Sequence, residues 1–149
     1  KLAALEAGGR SQQPLLDVTR VVEPTSATLC AYIAGCLASL AKGNIRGQES
    51  LQEGGGVRHL LRSLETCLQS PHVVANASVA IAHAAHKLET SQRVVREEGG
   101  VHTILGALLA YRGHSNVQES LCRAVAELTE RNPANQRAFL EARLPDGNG

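Results

Sequence analysis

Three observations predict an all-α chain built from stacked helical units. Glu53-Gly54-Gly55-Gly56-Val57 returns 44 residues later as Glu97-Glu98-Gly99-Gly100-Val101. At the same interval fall Gln48, Gln92 and Gln136, then Ala38, Ala82 and Ala126, then Glu53, Glu97 and Glu141. Within each interval apolar residues recur at spacings of three and four, the period of a helix with one buried face. A repeat of this length signals units that bury their apolar faces against one another, so a binding surface runs across units.

The elements follow in order. Leu2–Ala7 before Gly8-Gly9 reads as a short first helix, with its Gly pair 47 rather than 44 residues ahead of the next. Pro14–Val22 reads as a second helix and residues 25–42 as a third. The next unit opens with a short helix, Gln48–Glu53, that ends at the Gly54-Gly55-Gly56 break, where glycine permits a sharp turn. Over 57–68, Val57, Leu60, Leu61, Leu64 and Leu68 form one apolar face. Ser70-Pro71 is an N-cap followed by Pro at the first helical position, and the third helix then runs to about Leu88 with Val73, Ala77, Ala80, Ile81 and Ala84 inward.

The following unit repeats the plan. A short helix over 92–98 leads to the Gly99-Gly100 break and a second helix carrying Val101, Ile104, Leu105, Leu108 and Leu109. Ser115 with Gln118 fits a capping box for a third helix reaching about Arg131. Asn132-Pro133 starts a further short helix over Asn135–Ala142. Leu37, Ile81 and Val125 share an inward column, as do Leu40, Ala84 and Leu128, and Leu51, Val95 and Phe139. Leu61 matches Leu105, and Leu64 matches Leu108. The predicted units are about 1–43, 44–87, 88–131 and a partial 132–142, with 143–149 as a loose tail that lacks an apolar anchor.

Composition narrows the function. Hydrophobic residues make up 43% of the 149, enough for one packed domain, yet aromatics are only 2%. Tyr32, Tyr111 and Phe139 cannot supply a stacking platform for single-stranded nucleic acid. A net charge of +1, with acids and bases interleaved, gives no basic patch for duplex nucleic acid or an anionic membrane. No apolar run approaches about 18 residues, so no membrane span is expected. Nor is a signal peptide visible. Cys30, Cys36, Cys67 and Cys122 lie in apolar runs and are expected to be buried free thiols of a reducing compartment, with a disulfide as the lesser alternative. That places the protein in the cytoplasm, with the nucleus as the second choice. The chain begins at Lys1, which predicts a piece of a longer protein.

Three marks make the chain similar to the armadillo-repeat family. The acidic-Gly-Gly-Val passage continues to paired aliphatics, Leu60-Leu61 and Ile104-Leu105. A short first helix begins at Asn132-Pro133-Ala134-Asn135-Gln136-Arg137. Small residues mark the third helices, as in Val79-Ala80-Ile81-Ala82 and Arg123-Ala124-Val125-Ala126. The resemblance covers about residues 1–142, and the Gly-Gly turn favours it over the HEAT repeat. It implies a right-handed α-solenoid of about three three-helix repeats plus one extra helix. It also implies a non-catalytic scaffold or adaptor whose third helices line a concave groove for an extended peptide or partner segment. Two other roles follow from it: an internal spacer of a longer array that self-associates through its ends, and a regulator of a small GTPase or ubiquitin ligase. In importin-type members an Asn and a Trp on each third helix hold the peptide. Here the Asn places are Ser39, His83 and Glu127, and the Trp places are Gly35, Val79 and Arg123. Neither residue is kept, which argues against a basic nuclear-import signal as ligand.

Helical spacing of i, i+3, i+7 and i+10 draws the groove stripe. It comprises Tyr32, Gly35, Ser39 and Lys42, then Asn76, Val79, His83 and His86, then Ser120, Arg123, Glu127 and Glu130. Small residues at one end leave room for side chains, and the acidic pair at the other suits Lys or Arg of a basic or mixed peptide. The plain alternative is a solvated face.

Other chemistry is weaker. His83 and His86 stand at metal-ligand spacing, but no His or Cys occupies the aligned groove positions of neighbouring units, so no metal or cofactor is expected. Two imidazoles there could also make a pH-sensitive contact. Gly54-Gly55-Gly56 follows Glu53 and lacks the Lys-Ser/Thr of a phosphate loop. No Gly-x-Ser-x-Gly elbow or catalytic spacing occurs, so no enzyme is expected.

Overall fold

The computed structural model describes residues 26–143, and among these it contains helices and no strand. The helices are α1 (Ala27–Ala41), α2 (Ile45–Glu53), α3 (Gly56–Thr66), α4 (Pro71–Ala85), α5 (Glu89–Glu97), α6 (Gly100–Ala110), α7 (Ser115–Thr129) and α8 (Pro133–Glu141). Their lengths repeat. The series α2, α3 and α4 spans 9, 11 and 15 residues, and so does the series α5, α6 and α7. The expected helices at Leu2–Ala7 and Pro14–Val22, and all but the first residue of the 143–149 tail, lie outside the described residues.

Local chemistry sets the boundaries. Ser26, Asn44, Ser70 and Asn132 each accept a hydrogen bond from the backbone N–H three residues on, which satisfies a donor the helix leaves open. The Asn caps start α2 and α8 two or three residues before the sequence suggests. The Ser115–Gln118 capping box does not form: His114 occupies the N-cap and its side chain makes no cap bond. Third helices also stop earlier than expected, at Ala85 and Thr129, because Lys87 and Arg131 turn to positive φ of 54° and 51°. Gly43 does the same after α1, so the left-handed residue recurs every 44 positions. Each Gly pair has a division of labour. Gly55 and Gly99 take φ of 80° and 76°, while Gly56 and Gly100 bring the next helix too close to Leu51 and Val95 for a Cβ.

The long helices α1, α4 and α7 lie side by side, with α4 in the middle packed on both. Ala77, Ala80, Ala82, Ala84 and Ala85 of α4 are buried, and small side chains let its neighbours approach closely. α3 also packs against α4, and α6 against α3 and α7. Leu37, Leu60, Leu64, Ile81, Ile104, Leu121 and Leu128 form the dry centre of a core that runs from α1 to α7. Leu109, expected inward, is instead exposed, and Leu68, Leu105 and Leu108 are half-buried. Tyr111 is buried, and its hydroxyl donates to the Leu68 carbonyl at 2.6 Å. The cysteines divide evenly, which corrects the expectation of four buried thiols. None is in a disulfide; Cys30 and Cys67 are buried, while Cys36 and Cys122 face out from α1 and α7. Burial and the neighbouring Cys67 push the Cys30 thiol above its ordinary value.

Candidate functional site

Side-chain amides from the short helices hold the ends of the long ones. Gln48 of α2 donates to the carbonyls of His83 at 2.6 Å and His86 at 3.1 Å. Gln92 of α5 donates to the carbonyl of Ala85 at 3.1 Å and that of Glu127 at 3.0 Å, and accepts from Asn132 Nδ2 at 2.8 Å. Gln136 of α8 donates to the Thr129 carbonyl at 2.9 Å. The offset from Gln48 to His83 equals that from Gln92 to Glu127, at 35 residues, and the offset back to Ala85 or Thr129 is 7 in both cases. The last carbonyls of a helix have no partner within it, so these bonds answer an open demand. Asn135 Nδ2 joins in from α8, donating to the carbonyls of Gln92 and Leu128, while Arg96 donates to its Oδ1 at 2.7 Å.

Three of these bonds end on stripe residues, at the carbonyls of His83, His86 and Glu127. None of the twelve is buried. At one end Tyr32 is 71% exposed and, with Gly35, Ser39 and Asn76, lines a cleft of about 550 Å³ between α1 and α4. Asn76 Nδ2 donates to the Ala31 carbonyl at 3.0 Å and so bridges these two helices. Ser39 and Ser120 turn their hydroxyls back onto their own helices, toward the carbonyls of Gly35 and Asn116. Val79 is half-buried and lends part of its side chain to the core. Arg123 pairs with Glu119 along α7 at 3.8 Å.

Toward the other end the charges gather. His83 is held below its ordinary value, first by burial and then by Lys42 and Arg123, against an opposing pull from Glu127. Three long helices therefore contribute groups to one electrostatic neighbourhood around His83. His86 Nδ1 lies 2.8 Å from Glu127 Oε2, across the α4–α7 seam. The Glu130 carboxylate joins them, with one ligand atom from each of the three residues lying within 4.8 Å of the others. Just beyond, Glu130, Lys87, Gln92, Arg131 and Asn132 line a second cleft of about 600 Å³.

The sequence reading misses two relationships. The His83–His86 pair is weighed there against His and Cys partners only, whereas carboxylates of the next long helix stand beside His86. The Gln column is visible as a register mark, but its acceptors are backbone carbonyls, which carry no sequence signal. No family model, curated protein or solved structure matches the chain. Among the described residues no helix is long and apolar enough to cross a membrane.

Proposed function

We propose that the chain is an armadillo-type solenoid that works as a non-catalytic scaffold, taking an extended peptide or partner segment along the stripe from Tyr32 to Glu130. The observation that carries this reading is the accessibility of all twelve stripe residues on three adjacent helices. Backbone carbonyls at the ends of α4 and α7 are pinned by Gln48 and Gln92, so the surface is arranged before a ligand arrives. Preorganisation of this kind lowers the ordering cost of binding. The cleft beside Gly35 and Ser39 offers room for an apolar side chain, and Glu127 with Glu130 offers charge for Lys or Arg.

Selection of displayed extended peptides on the whole chain tests the reading. Peptides carrying a basic residue should be enriched, and the double variant Glu127→Lys, Glu130→Lys should lose them while keeping its helical circular dichroism. Equal recovery on the folded variant would refute it. A second reading is a spacer within a longer array. It is favoured by Leu140, 87% exposed beside half-buried Phe139 on α8, a surface suited to stacking another helical unit. Sedimentation of the wild type against Leu140→Lys separates the two, because only the spacer reading ties self-association to that residue.

A further inference from the structure

We propose that His86, Glu127 and Glu130 form a site for a divalent transition-metal ion, zinc or a borderline neighbour such as cobalt(II), across the seam between the ends of α4 and α7. One imidazole with two carboxylates is a donor set that such ions accept. The geometry is close to what one needs. His86 Nδ1 and Glu127 Oε2 are 2.8 Å apart, and the group of three ligand atoms spans at most 4.8 Å. Ligand bonds of about 2.0–2.2 Å place donor atoms roughly 3.3 Å apart around a tetrahedral ion, and the three donors stand within reach of that spacing.

Three further observations favour an ion. The first is electrostatic: one imidazole offsets at most one of the two carboxylates. Among the described residues neither glutamate has Lys or Arg within ion-pairing distance. Cations do face the neighbourhood, with Lys42 and Arg123 acting on His83 and Lys87 and Arg131 lining the cleft beside Glu130. The second is helical: His86 is the C-cap of α4 and Glu130 the C-cap of α7, so two negative helix ends converge where the ion would sit. The third is rigidity. The His86 carbonyl is held by Gln48 and the Glu127 carbonyl by Gln92, so two of the three ligand backbones are fixed from outside the site. Backbone support of this kind holds the ligands in place before an ion arrives. The adjoining cleft leaves space for water or a ligand atom to complete the coordination.

The proposal goes beyond peptide binding and calls on the same two glutamates, but its test uses no peptide, so the two readings can fail separately. Zinc is titrated into the whole chain by calorimetry, and cobalt(II) by visible absorption. One equivalent should bind with submillimolar affinity, and the cobalt complex should show visible bands without the near-ultraviolet band of a thiolate ligand. His86→Ala and Glu130→Gln should each weaken binding by about tenfold or more, while His83→Ala should leave it nearly intact. Glu130 is exposed, so its variant keeps the fold, and circular dichroism verifies that for all three. Absence of saturable binding, a thiolate band, or equal affinity in folded Glu130→Gln and wild type would overturn the assignment.

Discussion

The Gln92 side-chain amide donates to the backbone carbonyl of Glu127 at 3.0 Å, and Gln48 repeats the bond to His83 at the same offset of 35 residues. Neither acceptor belongs to the donor's own helix, so each bond ties the short helix of a triplet to the long helix that completes it. Gln92 also reaches back to Ala85, which ties two successive long helices to one side chain.

Replacing Gln92 with Ala should therefore be costly. It strips the side-chain partner from the Glu127 carbonyl and from Asn132 Nδ2, while the Ala85 carbonyl keeps the Leu88 N–H, and a buried polar group left unpaired costs about 1–3 kcal/mol. Partial rescue by water brings the expected loss to roughly 2–4 kcal/mol in urea denaturation. Gln136→Ala is the contrast. Its single bond is exposed, so it should cost under about 1 kcal/mol. Equal losses would show that the amide is not a clip.

Lys87→Gly should stabilise the chain. Lys87 holds φ at 54°, which costs a side-chain-bearing residue about 1–2 kcal/mol. Glycine removes that cost but loses more chain entropy on folding, so the net gain is about 0.5–1 kcal/mol. A rise in Tm over wild type checks it, and Lys87→Ala should show little or none of the gain.

Two alanine substitutions in α6 should move stability in opposite directions. At Gly100 a Cβ would sit 2.6 Å from Val95 Cγ1 and 2.7 Å from the Val95 carbonyl oxygen, and backbone cannot yield cheaply. Gly100→Ala should lose about 1–3 kcal/mol. Gly106 meets nothing within 4 Å, so Gly106→Ala should gain up to about 1 kcal/mol from helix propensity. Thermal melts of both variants decide the point.

His83 gives stability a pH dependence of known sign. Its folded value is depressed by burial, Lys42 and Arg123, so the unfolded chain takes up the proton first as pH falls. The contribution is full above the unfolded value of about 6.5 and is lost as pH falls toward the depressed folded value. Wild type should thus lose more stability than His83→Gln between pH about 7.5 and about 5.5. The ring is partly solvated, so the difference should stay under about 1 kcal/mol. Urea midpoints at both values measure it.

Sequence legibility followed the physics of each feature. Helix existence and register were readable because apolar spacing and the Gly pairs are local signals, and Leu37, Ile81, Leu60 and Leu64 are buried as their periodicity predicts. Ends were read less well. Lys87 and Arg131 adopt a turn that glycine would have advertised, and His114 caps α7 without a side-chain bond. Exposure of Cys36 and Cys122 escaped notice because small thiols among alanines look the same on either face of a helix. Spacing also selected twelve residues of the stripe, none of which is buried. The His86–Glu127 contact was not, because its partners stand 41 positions apart and meet only through packing.

The matching seven-residue offsets at Gln92 and Gln136, each reaching back across a unit boundary, imply that the molecule can lengthen by copying itself. A 44-residue block duplicated in tandem would carry its own amide and its own waiting carbonyl to each new junction. Evolution would need no fresh interface to extend such a protein, only one more turn of the same template.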